Sequence, residues 1–138
     1  MRVGLLGGTF DPIHIGHLIA ASEVHTQLTL DQVTFIPAGQ PWQKSAQDIA
    51  PAHHRLAMVE IAIEDDARFA VSDIDIQRSG PTYSIDTLVE WTQQNPRDDV
   101  YWIVGADALA GITSWHRWEE FVERATIVCV NRPNGALG

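Results

Sequence analysis

Gly7-Gly8-Thr9-Phe10-Asp11-Pro12-Ile13-His14-Ile15-Gly16-His17 follows a short apolar run, Val3 to Leu6, and leads directly into an amphipathic pattern. The order reads as strand, anion-binding loop, helix. Gly7 and Gly8 have no side chains, so their backbone amides can approach a ligand closely. Thr9 adds a hydroxyl donor. His14 is expected just before the helix and His17 in its first turn, where unpaired N–H groups and the helix dipole already favour an anion. Metal ligation by the two imidazoles is the weaker reading, because no carboxylate or third histidine lies at an obvious ligand spacing.

Outward from this loop, short β-branched runs recur at Val3 to Leu6, Val33 to Ile36, Phe69 to Val71, Tyr101 to Val104 and Thr126 to Val130, each bounded by turn-forming residues. Helical periods lie between them. Leu18, Ala21, Val24 and Leu28 share one face, as do Ala52, Leu56, Val59 and Ile63; Ile85, Leu88 and Val89 begin a third helix, and Trp118, Phe121 and Val122 a short fourth. This alternation predicts an α/β fold: a Rossmann-like, doubly wound parallel sheet of five strands with helices on both faces, since parallel strands require crossovers. Gly39 to Pro51 reads as a long loop. In such a sheet, ligands bind beyond the carboxyl ends of the strands where the strand order reverses. The segments after the strands, Gly7 to His17, Pro37 to Lys44, Gly105 to Asp107 and Asn131 to Pro133, are therefore expected to converge.

Composition narrows the partners. With 138 residues, 45% of them apolar, the chain suits one domain, 1–138. A formal net charge of -9 argues against the broad positive field that nucleic acid requires. The single cysteine, Cys129, excludes a disulfide framework and a thiolate zinc cluster, and is expected to be an inert core thiol. No leader and no apolar run near the length of a membrane span is evident, so a cytoplasmic protein is expected.

The loop itself can be classified by exclusion. Gly-x-x-x-x-Gly-Lys-Ser/Thr is absent, and Gly4, Gly7 and Gly8 do not fall at the dinucleotide-fingerprint spacing. His14-Ile15-Gly16-His17 instead spells the HIGH signature shared by class I aminoacyl-tRNA synthetases and small nucleotidyltransferases, and a short acidic chain disfavours a synthetase. Further motifs follow in order: Pro37-Ala38-Gly39-Gln40-Pro41-Trp42-Gln43-Lys44, Ser79 to Leu88, Gly105-Ala106-Asp107, Ser114-Trp115 and Arg132-Pro133. Together they resemble the bacterial nicotinate-nucleotide adenylyltransferases, from the first residue to about Pro133.

That resemblance implies transfer of the adenylyl group of ATP to nicotinate mononucleotide, giving deamido-NAD and pyrophosphate. It implies His14 and His17 as catalytic donors to the ATP phosphates, with Gly7, Gly8, Thr9, Phe10, Gly105 and Asp107 completing the ATP site. Lys44, Ser84, Trp115, His116 and Arg132 take the mononucleotide side: Trp115 stacks on the pyridine ring, Ser84 and His116 meet the carboxylate, and Lys44 and Arg132 serve anionic groups. Mg2+ is implied, held mainly by the phosphates and water. Family members continue with an Ile-Ser-Ser-Thr-x-x-Arg segment that grips ATP phosphates; these 138 residues do not contain it, so the C-terminal part of the family fold is expected to be absent. Two alternatives stand beside this reading: a non-catalytic nucleotide-binding module, and adenylyl or cytidylyl transfer to another phosphate such as phosphopantetheine.

Other residues have plainer expectations. His53 and His54 suit a helix start at the surface, and Trp91, Trp102 and Trp118 suit packing, with Trp42 a weaker candidate for ligand contact. Asp107 could cap a helix as well as bind ribose. Asp73 and Asp75 alternate with Ile74 and Ile76, which predicts an exposed strand face and no metal. Oligomeric state is not legible.

Overall fold

The computed structural model describes residues 1–39 and 49–131. Five parallel strands run in the order β3-β2-β1-β4-β5: β1 is Arg2–Gly8, β2 Gln32–Pro37, β3 Phe69–Val71, β4 Asp99–Gly105 and β5 Thr126–Val130. The helices are α1 Ile15–Gln27, α2 Ala52–Ile63, α3 Ile74–Gln77, α4 Ser84–Gln94, α5 Ala106–Ala110 and α6 Trp118–Arg124, with a 3-10 turn at Ile112–Ser114. The Rossmann-like, doubly wound sheet expected from the alternating pattern is the fold. Among the described residues no helix is long and apolar enough to cross a membrane.

Strand alternation divides the core in two. Leu6, Val33, Phe35 and Ile103 face one side, where they bury Ala21 and Val24 of α1 and Val59 and Ile63 of α2. Val3, Leu5, Ile36, Val100, Trp102 and Val104 face the other, against Ile85 and Leu88 of α4 and Phe121 of α6. The period of two along each strand sends successive side chains to opposite faces, and both faces are covered, as a parallel sheet requires. Each fully buried side chain of this type contributes roughly 1.5–3 kcal/mol relative to exposure. Gly4 lies on the α1 side of β1, where an added Cβ would stand 2.9 Å from Leu30 Cδ1 and 3.1 Å from Ile103 Cδ1, so the helix-side packing depends on its missing side chain.

Two expectations fail. Ile74–Gln77 forms the one-turn helix α3 instead of a strand, and Asp75 is buried with Ile74. The Asp75 carboxylate is satisfied there: Thr87 Oγ1 donates to it at 2.5 Å and Arg78 Nη1 at 3.0 Å. Cys129 is exposed, on a strand that stands at the edge of the sheet among the described residues. An apolar run forms such a strand whether or not a neighbour covers it.

Candidate functional site

The strand order places β2 and β4 on opposite sides of β1, so the chain reverses direction across the sheet at the carboxyl end of β1. A cleft of about 440 Å³ opens there. One wall is Gly7, Gly8 and Thr9 with His17; the facing wall is Thr82, Tyr83 and Ser84 at the start of α4; Gly105, Asp107, Trp115 and His116 close the end beyond β4. Nine of the expected site residues thus meet in one space: Gly7, Gly8, Thr9, His17, Ser84, Gly105, Asp107, Trp115 and His116.

The histidine pair is held by its own backbone. His14 is the N-cap of α1, and its Nδ1 accepts the N–H of Gly16 at 3.1 Å. In return, His17 Nδ1 accepts the N–H of His14 at 3.1 Å. The rings lie 3.8 Å apart, with His17 buried and His14 exposed. A neutral imidazole that accepts through Nδ1 carries its proton on Nε2 and is a donor there. Phe10 stands apart from the other expected ligands. Its ring is buried in the core, edge-on to His17 at 5.0 Å and to Phe35 at 5.7 Å, so its side chain supports the histidine from below.

At the other end, Trp115 is half-buried, with one part packed edge-on against Phe121 at 5.4 Å and the other lining the cleft. His116 stacks on Tyr83, centroids 4.5 Å apart. Asp107 lies exposed in the first turn of α5 and makes no capping bond. Ser84 is the first residue of α4, whose N-cap, Tyr83, supplies no side-chain cap. With no side-chain cap at its N-terminus, this helix start is of the kind that suits an anion. Lys44, Trp42 and Arg132 lie outside the described residues.

Sequence reasoning missed the groups that hold these walls. Thr82 Oγ1 accepts the N–H of Gly39 at 3.2 Å, which joins the exit of β2 to the entry of α4. Asp75 and Thr87 also line the cleft, where the buried Asp75 binds Thr87 and Arg78, and Arg78 also pairs with Glu90 at 3.0 Å. Burial pushes the Asp75 carboxyl above its ordinary value, against the hydrogen bond from Thr87 and the charge of Arg78. Arg55, buried under the first wall, donates to four backbone carbonyls. A signal for Arg55 existed, since Arg55, Val59 and Ile63 are spaced by four on the buried face of α2.

The donors converging on the cleft are amides, imidazoles and hydroxyls, which suit phosphate oxygens. Among the described residues no three His, Cys, Asp or Glu side chains cluster to hold a metal ion.

The family model described as cytidylyltransferase-like matches residues 5–137. The protein of Saccharopolyspora erythraea named "Probable nicotinate-nucleotide adenylyltransferase" is 52% identical over 136 residues, which cover 99% of this chain and 64% of the relative. A protein of the same name from Acidothermus cellulolyticus is 53% identical over 141 residues, covering 99% of this chain and 68% of the relative. The chain thus spans about 64% of the first relative's length. Among solved structures, Plasmodium falciparum nicotinic acid mononucleotide adenylyltransferase complexed with NaAD superposes with a TM-score of 0.77 over 96% of this chain and 75% of that one, at 19% identity, a likeness of fold.

Proposed function

The chain belongs to the cytidylyltransferase-like family, in its nicotinate-nucleotide adenylyltransferase branch, and from that membership we propose that it transfers the adenylyl group of ATP to nicotinate mononucleotide. The observation that carries this reading is the single cleft shared by the loop after β1, the segment after β4 and the start of α4. The loop after β1 and the start of α4 are backbone segments that suit anions, and the aromatic side chain of Trp115 lines the same cleft.

In this reaction a phosphate oxygen of the mononucleotide attacks the α-phosphorus of ATP, the bond to the β-phosphate oxygen breaks, and pyrophosphate leaves. The nucleophile is already ionised at neutral pH, so no general base is needed. Catalysis reduces to alignment and to stabilising charge on the phosphates. His17, with Nε2 as donor, and His14 serve that charge, together with the amides of Gly7 to Thr9. Gly105 and Asp107 take the adenosine side, Asp107 by accepting from ribose hydroxyls. Trp115 stacks on the pyridine ring, and the α4 amides at Ser84, with His116, receive its carboxylate. Lys44 and Arg132 supply charge to the mononucleotide side. Mg2+ brought with ATP would be held mainly by phosphate oxygens and water, with no carboxylate cage needed from the chain, and would neutralise phosphate charge.

The test is direct. The full chain with ATP, Mg2+ and nicotinate mononucleotide should release pyrophosphate and form deamido-NAD; ATP binding without turnover would instead favour a nucleotide-binding module. Turnover confined to phosphopantetheine in a substrate panel would move the assignment to another transferase.

A further inference from the structure

Arg55 heads the fully buried side chains by size, and among the described residues it forms no ion pair with a carboxylate. Its guanidinium is spent on backbone instead. Nη1 donates to the carbonyl of Thr9 at 2.9 Å and of Ala38 at 2.6 Å, Nη2 to that of Gly39 at 3.3 Å, and Nε to that of Ala50 at 2.9 Å. These carbonyls belong to the loop after β1, the exit of β2 and the entry to α2. The first two are also tied directly, since the N–H of Ala38 donates to the carbonyl of Gly8 at 2.8 Å.

The loop needs such a hold. Phe10 has φ 51, a left-handed conformation that a bulky residue adopts only when its surroundings impose it. Thr9 C=O and Phe10 N–H belong to one trans peptide and point in opposite directions, so anchoring the carbonyl on Arg55 turns the amide away from it. The same guanidinium keeps a positive charge directly beneath the loop, in surroundings where salt screens little. Asp11, the opposing carboxylate, is exposed and accepts the N–H of Ala50 at 3.2 Å.

We infer that Arg55 is the positioning residue of the phosphate loop: it locks the backbone of Gly8 to Phe10 in the form that presents amides to ATP and sets a positive charge behind them, which the exposed Asp11 offsets in part. The inference rests on the reading of this loop as the ATP site. The α4 wall, joined to this anchor through Gly39 and Thr82, has further support of its own in Asp75, Thr87 and Arg78, so the effect should fall more on ATP than on the mononucleotide.

Arg55→Met and Arg55→Lys, in the full chain, test this by calorimetric affinities for each substrate alongside thermal unfolding. Arg55→Met should weaken ATP binding at least about tenfold, as loss of charge-assisted bonds does, and mononucleotide binding by less than about threefold. Arg55→Lys keeps the charge with fewer donors and should recover part of the ATP loss. If Arg55→Met does not fold, Arg55→Lys carries the test, with ATP weakened about threefold or more and the mononucleotide unaffected. Equal weakening of both substrates, or unchanged ATP affinity, in a folded variant overturns the inference alone. Failure of the unaltered chain to bind ATP overturns the reading of the site and the inference with it.

Discussion

The backbone N–H of His14 donates to Nδ1 of His17 at 3.1 Å, so the main chain just before α1 determines which nitrogen of the buried imidazole is the donor. Orientation and tautomer are both set before any ligand arrives, which is what preorganised charge stabilisation requires. His17→Ala should lower kcat by at least about 100-fold, the scale for losing one such donor. His17→Gln should retain more activity than alanine, because its amide can still donate. Steady-state pyrophosphate release measures both, and near-normal turnover by His17→Ala would remove this residue from the mechanism.

Trp115 divides its surface between Phe121 and the cleft. Trp115→Phe keeps an aromatic ring against Phe121 and shortens the part available to a pyridine. KM for the mononucleotide should rise by roughly tenfold, a stacking contribution of order 1.5 kcal/mol, with KM for ATP little changed. A rise confined to ATP would refute the assignment.

Gly39 lies where the exit of β2 meets α3. A Cβ there would stand 2.6 Å from the carbonyl oxygen of Asp75, a backbone atom that no rotamer change can move aside. Gly39→Ala should therefore destabilise the fold by about 1–3 kcal/mol in urea unfolding, as overpacking does. A change below a few tenths would mean that α3 is free to shift.

Asp75 sets a pH dependence of stability opposite to that of an ordinary paired carboxylate. Its folded pKa is raised by burial from the reference value of 3.8, so over the window above that value the native state holds more protons than the unfolded chain. This contribution is therefore greatest below the window and falls as pH rises through the folded pKa. Wild type minus Asp75→Asn, followed by thermal unfolding from about pH 4 to 8, should decline toward high pH. A difference that grew with pH would show that Arg78 and Thr87 outweigh burial.

Five strands and the buried faces of α1, α2 and α4 were legible because each follows from one period: β-branched runs of fixed length, or apolar residues spaced by three and four. Turn residues after β1 and β4 located most of the cleft. What escaped were cases where one local pattern suits two structures. Asp73 to Ile76 alternates as an edge strand would, but Ile74 also fits against α4 when the segment closes into a single helical turn. Cys129 sits in a valid strand whose outer side has no strand partner among the described residues, and strand propensity carries no information on that. Arg55 and Asp75 are charged residues whose partners include distant backbone carbonyls and a distant hydroxyl, which only tertiary structure brings to them.

The pairing of β1 with β4, in which Arg2 meets Asp99 and Leu5 meets Trp102, has a consequence for synthesis. β1, β2 and β3 emerge first and can assemble, yet the second edge of the central strand stays open until β4 has been made. Contacts so distant in sequence form slowly, and an open apolar edge can recruit another chain meanwhile. Conditions that slow elongation after α2 should thus cost soluble yield before they cost activity per folded molecule, because the cleft is completed only by the strand that closes this edge.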